Sequence, residues 1–213
     1  MIATKNKQRV GFYNSDHPLK DAARSSTEAL EAFADCSIIA AVNTPEILEA
    51  ALDSPTRVIY LLTGNPLSIP EMLARARDRS KLCLINIDFL QGLARDRHAV
   101  AFLAAHKADG IVSTHIEVLK AAHLLGLITV QRTFAIDSAA ISATIKSLDQ
   151  FQPDAIEVLP AIAAPKVARR LRALHPELPL IGGGLIEGVK EIEDLLAAGV
   201  RSVSVSDQRL WLI

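Results

Sequence analysis

Several short apolar runs in this chain end in, or are broken by, a polar residue that an apolar run does not need. In Leu-Ile-Asn-Ile-Asp the polar positions are Asn86 and Asp88. They lie two apart, so on a strand they project to one side while Ile85 and Ile87 face the other. Arg132 closes the run Thr-Val-Gln-Arg, and an arginine cannot shed its charge, so it requires an anionic partner. Glu157 interrupts Ala-Ile-Glu-Val-Leu, where a carboxylate is costly unless paired or liganded. An ion pair between Arg132 and Glu157 across neighbouring strands and a shared ligand role are compatible. Further on, Gly182, Gly183 and Gly184 follow an apolar run, and Ser206 and Asp207 follow the next one. Glycines let backbone approach an anion closely, and a hydroxyl in the next loop adds a donor, so these two loops are candidates for a phosphate. No nucleophile–histidine–carboxylate spacing is present, and no His/Cys cluster has zinc spacing. Asp88 and Glu157 could hold a hard cation, but two carboxylates are too few to specify one. No catalytic residue, metal or cofactor is therefore expected.

The elements that must position these residues are visible in the patterning. Eight apolar runs, at 37–42, 57–62, 82–87, 110–112, 127–130, 155–159, 179–182 and 202–205, read as strands covered on both faces. Their starts recur roughly every 24 residues, the length of a strand–loop–helix–loop unit. Helices are expected over 46–52, 68–79, 97–106, 117–125, 138–150, 166–174 and 187–198, with a short last one at 207–212. Eight alternations predict an α/β protein with a small (β/α)8 barrel at residues 36–213. In such a barrel the chemistry sits at the C-terminal strand ends, with phosphate at the loops after strands seven and eight. Residues 1–35 form an N-terminal extension. Its stretch 19–34, with Leu19, Ala22, Ala23, Leu30 and Phe33 apolar, predicts a helix near the barrel closure or under its base.

Composition narrows the classes. Half of the 213 residues are hydrophobic but only 4% are aromatic, so the core is aliphatic. The longest pure apolar run, 99–105, is far short of the roughly 20 residues that span a bilayer. The N-terminus has charges without an apolar stretch behind them, unlike a secretory signal. Cys36 and Cys83 are isolated in apolar runs, as free thiols in a reducing cytoplasm would be. A net charge of −1 argues against a broad nucleic-acid-binding face. Two local basic clusters remain: Lys166, Arg169, Arg170 and Arg172 on one helix, and Arg75, Arg77, Arg79 and Lys81 at the end of another. Both suit a solvated face, and the first is the better candidate for an RNA contact. A homo-oligomer would join two such weak patches.

Taken together, the stretches INIDFLQGLARD (85–96), ADGIVSTH (108–115), GLITVQRTFAIDS (126–138), PDAIEVLPAI (153–162), IGGGLI (181–186) and SVSVSDQRLW (202–211) resemble the glycerol-3-phosphate-responsive antiterminator family. The resemblance implies a barrel, a site for glycerol-3-phosphate or a similar small phosphate ester, and binding to leader mRNA in the cytoplasm, without a membrane. It places Asp88, Gln131, Arg132, Glu157, Gly183, Gly184 and Ser206 on family motifs, and Asn86 where the family has His. The implied arrangement has phosphate on Gly183, Gly184 and Ser206, with glycerol hydroxyls read by Asp88, Glu157 and Arg132. His115 stands in place of Arg, Ala161 in place of Gly, and Val205 and Asp207 in place of Thr and Asn. With Glu187 these changes predict a more acidic mouth. Alternative readings are a phosphate-binding barrel enzyme resembling prenylglyceryl-phosphate synthases, with Asp88 and Glu157 on a Mg²⁺-bound diphosphate, and a barrel that has lost its phosphate ligand.

Overall fold

A computed structural model describes residues 31, 33 and 35–213. Eight strands, β1 Ile38–Val42, β2 Val58–Leu61, β3 Leu82–Asn86, β4 Gly110–Ser113, β5 Ile128–Phe134, β6 Ala155–Leu159, β7 Leu180–Gly183 and β8 Ser202–Val205, form one closed parallel barrel in sequence order. Among the described residues seven α-helices cover it: α1 Leu48–Asp53, α2 Ile69–Asp78, α3 Arg97–Ala105, α4 Ile116–Leu124, α5 Ser138–Ser147, α6 Ala164–Leu171 and α7 Val189–Ala197. The eighth sector is closed by a 3-10 turn, Gln208–Leu212, whose Leu210 and Trp211 are buried. The Trp211 indole donates to the Val205 carbonyl at 2.8 Å. One large side chain thus does what a full helix does elsewhere.

Local sequence explains the boundaries. Asp96 accepts from the His98 and Ala99 amides and starts α3; Asp137 accepts from the Ala140 amide and starts α5. Gly126, at φ +73°, ends the α4 sector. The main departure from expectation is β5, which continues beyond residue 130 to Phe134. Its polar residues do not end the strand, because each finds a partner across it. Arg132 lies in register with Glu157 of β6, and Thr133 meets Thr144 of α5 at 2.5 Å.

Strand alternation sorts the core into two shells. Ile38, Ala40, Val42, Ile59, Leu61, Ile85, Ile111, Ile156, Val158, Val203 and Val205 pack outward against the helices. Ile39, Val58, Tyr60, Leu84, Val112, Ile128, Val130, Ala155 and Ile181 fill the barrel, joined by Phe33 and Cys36. Cys36 and Cys83 are both buried free thiols, and burial raises the pKa of each. The helix expected over 19–34 lies outside the described residues apart from Glu31 and Phe33. Among the described residues no helix is long and apolar enough to cross a membrane.

Candidate functional site

The strand register, followed round the barrel with the stagger an eight-stranded barrel requires, stacks interior side chains in layers of four from alternate strands. Ile39, Leu84, Val130 and Ile181 make an apolar layer. Above it stand Tyr60, Val112, Glu157 and Ser204, and above those Ala41, Asn86, Arg132 and Gly183. The interior turns polar towards the C-terminal ends of the strands, where a barrel of this type carries its site.

Glu157 is the centre of the first polar layer. Its side chain is fully buried and that of Arg132 is 6% exposed. The Arg132 Nε donates to Glu157 Oε2 at 2.6 Å, and Ser204 Oγ donates to Oε1 at 2.6 Å. Both carboxylate oxygens are thus satisfied, which makes the burial of this charge tolerable. Gly183 completes the arrangement by having no side chain. A Cβ there would lie 2.6 Å from Ser204 Oγ and 2.9 Å from Glu157 Oε1. The Arg132 guanidinium also lies 5.5 Å from the Phe89 ring centroid, within cation–π range. Its η nitrogens have no partner among the described residues.

Asn86 and Asp88 are both placed at the mouth, with Ile85 and Ile87 facing the helices. Their carboxylate and amide are largely committed. Asp88 accepts from Ser113 Oγ at 2.7 Å, from the Thr114 amide at 2.7 Å and from Thr114 Oγ1 at 2.9 Å. It ties the loop after β3 to that after β4, and Arg95 flanks it at 3.8 Å. Asn86 Oδ1 accepts from the Asp88 amide at 3.1 Å, which fixes the orientation of the side chain. Its Nδ2 then faces away, fully buried, with no partner among the described residues. The Tyr60 hydroxyl below is in the same condition. Burial, and then the negative charge of Glu157, push the Tyr60 pKa well above the usual phenol value.

The loops after β7 and β8 are open to solvent. Gly184 and Leu185 both adopt positive φ, +73° and +59°, so the chain turns sharply there. Ser206 is exposed at the end of β8. The acidity expected at this rim is reduced by local pairing. Asp207 caps the Gln208–Leu212 turn by accepting from the Arg209 amide at 3.0 Å, and Arg209 Nε donates to the same carboxylate at 3.0 Å. The Arg209 guanidinium holds the Asp207 carboxyl below its ordinary pKa. Glu187 engages only through its backbone amide, which donates to Glu191 at 2.6 Å in the cap of α7; its own carboxylate takes no part in that contact.

One further expectation changes. Gln131 does not reach the mouth: strand parity turns it outward, where its Nε2 donates to Ser147 of α5 at 2.8 Å. His115 is exposed at the start of α4, in the loop after β4. On α6, Lys166, Arg169, Arg170 and Arg172 are all exposed, but Arg170 donates to Ser142 and Arg172 to the Gly199 carbonyl. In the second basic cluster Arg75 and Arg79 are paired with Glu49 and Asp53, and Lys81 donates to the Ser54 and Thr56 carbonyls. Sequence reasoning missed Tyr60, Ser204 and Arg209. Alternation along 202–205 was the available signal for Ser204, since it puts that residue on the face of Ser202 and Ser206. Nothing in the apolar run at 57–62 marked Tyr60.

Comparison with known proteins agrees with this architecture. The profile described as "Glycerol-3-phosphate responsive antiterminator" matches residues 38–211. An uncharacterized Escherichia coli (strain K12) protein, YgcP, is 32% identical over 177 residues, which are 83% of this chain and 92% of that one. The crystal structure of a glycerol uptake operon antiterminator-related protein from Thermotoga maritima is similar at 31% identity and TM-score 0.75, covering 83% of this chain and 98% of that one. That of a glycerol uptake operon antiterminator regulatory protein from Listeria monocytogenes is also 31% identical with TM-score 0.75, covering 82% and 94%. Deoxyribose phosphate aldolase from Aeropyrum pernix shares the fold alone, at 13% identity and TM-score 0.62 over 91% of this chain and 96% of that one.

Proposed function

This chain belongs to the glycerol-3-phosphate responsive antiterminator family, and from that premise we propose that it is a cytoplasmic, ligand-responsive regulator of transcription termination. Its ligand is glycerol-3-phosphate or a similar small phosphate ester, bound at the C-terminal mouth of the barrel, and its target is leader mRNA. The observation that carries the ligand reading is Arg132, buried on Glu157 with its η nitrogens unspent beside the mouth. The phosphate sits on the Gly184 loop and the Ser206 hydroxyl, over Gly183, and the rest of the ligand lies towards Arg132 and Asn86. Asp88 and Glu157 act by holding neighbours in place, because their oxygens already accept from protein donors. For the same reason neither carboxylate favours a Mg²⁺-dependent transferase.

Arg169 and Lys166, exposed on α6 and without partners among the described residues, are the contacts offered to RNA, with Arg170 and Arg172 beside them. With a net charge of −1 the protein reads RNA through such a patch rather than a broad field. Calorimetric titration of the full chain with millimolar glycerol-3-phosphate tests the ligand. Saturable heat with a rise in melting temperature is expected, and the absence of both removes glycerol-3-phosphate itself as the ligand. A gel shift with the leader transcript of its own operon tests the RNA arm.

A further inference from the structure

We propose that the ligand of this mouth carries a carboxylate as well as a phosphate, and so belongs to the phosphorylated hydroxy acids rather than the phosphorylated triols. The inference rests on the phosphate position proposed above and concerns the opposite end of the molecule.

A glycerol terminus donates hydrogen bonds as well as accepting them, so a site built for it must offer acceptors. In the two polar layers and the Asp88 loop every side-chain carboxylate and amide oxygen already has a protein donor. Glu157 accepts through both oxygens, from Arg132 and Ser204. Asp88 accepts three hydrogen bonds from Ser113 and Thr114. The Asn86 Oδ1 accepts from the Asp88 amide. What remains uncommitted is of the other kind. Asn86 Nδ2 can only donate, the Arg132 η nitrogens can only donate, and the Tyr60 hydroxyl can donate.

Asn86 and Arg132 share one layer, from β3 and β5, and Tyr60 stands in the layer beneath. Ala41 and Gly183 complete the upper layer with almost no side chain, so Asn86 and Arg132 are its only polar side chains. Asn86 and Tyr60 are fully buried, and a buried donor without an acceptor costs free energy that an incoming acceptor recovers. The Glu157 charge is balanced by Arg132, which leaves the guanidinium free to serve a second anion along its outer edge. An acceptor-only, planar, anionic group matches this set, and a carboxylate is that group.

The test is a calorimetric comparison of 3-phosphoglycerate, glycerol-3-phosphate and inorganic phosphate on the full chain. 3-Phosphoglycerate is expected to bind at least tenfold more tightly than glycerol-3-phosphate. Asn86→Asp, nearly isosteric, replaces the donor by a charged acceptor and should reverse that order. Asn86→Leu should reduce the preference to less than threefold. Glycerol-3-phosphate binding as tightly as the acid, or a preference unmoved in Asn86→Asp, overturns this inference and leaves the proposed function standing. If no phosphorylated probe binds a folded wild-type chain, the proposed function falls, and the inference with it.

Discussion

The polar interior of this barrel has two sides with equal burial and unequal bonding. On β5, β6 and β8, Arg132, Glu157 and Ser204 form a network in which each carboxylate oxygen has a donor. On β2 and β3, Tyr60 and Asn86 are as deeply buried, yet each keeps a polar atom with no partner among the described residues. The first side is assembled to hold the barrel closed around a charge. The second retains donors at a cost in stability, and the proposed ligand is what would repay it. Gln131 also has an oxygen without a partner among the described residues, but it faces the helix layer and its amide nitrogen donates to Ser147.

The two sides should respond oppositely to mutation. Glu157→Ala strands the Arg132 charge in the interior and should cost about 3–5 kcal/mol, read as a lowered urea midpoint. A loss below about 1 kcal/mol would erase the distinction between the sides. Gly183→Ala drives a methyl group into Ser204 and Glu157 and should cost about 1–3 kcal/mol in the same assay, with Ser204→Ala in a similar range.

Tyr60→Phe should do the reverse, leaving the unliganded protein unchanged or up to about 1 kcal/mol more stable, because it deletes an unsatisfied hydroxyl. It should also alter the alkaline limb. The folded state holds the Tyr60 proton more tightly than the unfolded chain, whose phenols titrate near about 10. Stability is therefore lost as pH rises above that value, and the phenylalanine variant should lose less of it in a series of melting curves. The smallest effect on stability is expected on the exposed face of α6. Arg169→Glu with Arg170→Glu should shift stability by no more than about 0.5 kcal/mol. The same pair should weaken leader-RNA binding and flatten its salt dependence, and an unchanged gel shift would remove α6 from the RNA surface.

Much of this fold was legible because buried parallel strands are apolar runs of restricted length, and their repeat counted out the barrel. The Arg132–Glu157 pair was legible for a related reason: charges inside apolar strands must be matched, and few partners were available. β5 was misjudged at its end because polarity in sequence looks like exposure, whereas Thr133 and Arg132 find polar partners on opposite faces. Gln131 was misplaced because motif position does not carry strand parity. The acidity of the mouth was overstated at Asp207, whose carboxylate Arg209 engages from two residues away. Tyr60 could not be found at all, because a tyrosine in an apolar run reads as core until its hydroxyl is seen to lack a partner.

The most direct test of the contrast is the pair of side-chain amides of Asn86 and Gln131, assigned through Asn86→Leu and Gln131→Leu in ¹H–¹⁵N spectra. The full chain would be titrated with whichever of glycerol-3-phosphate and 3-phosphoglycerate binds more tightly. The Asn86 amide protons should shift and become protected from solvent exchange as the ligand saturates, while the Gln131 amide on Ser147 stays where it is. Saturable binding that leaves the Asn86 amide unmoved would contradict the account.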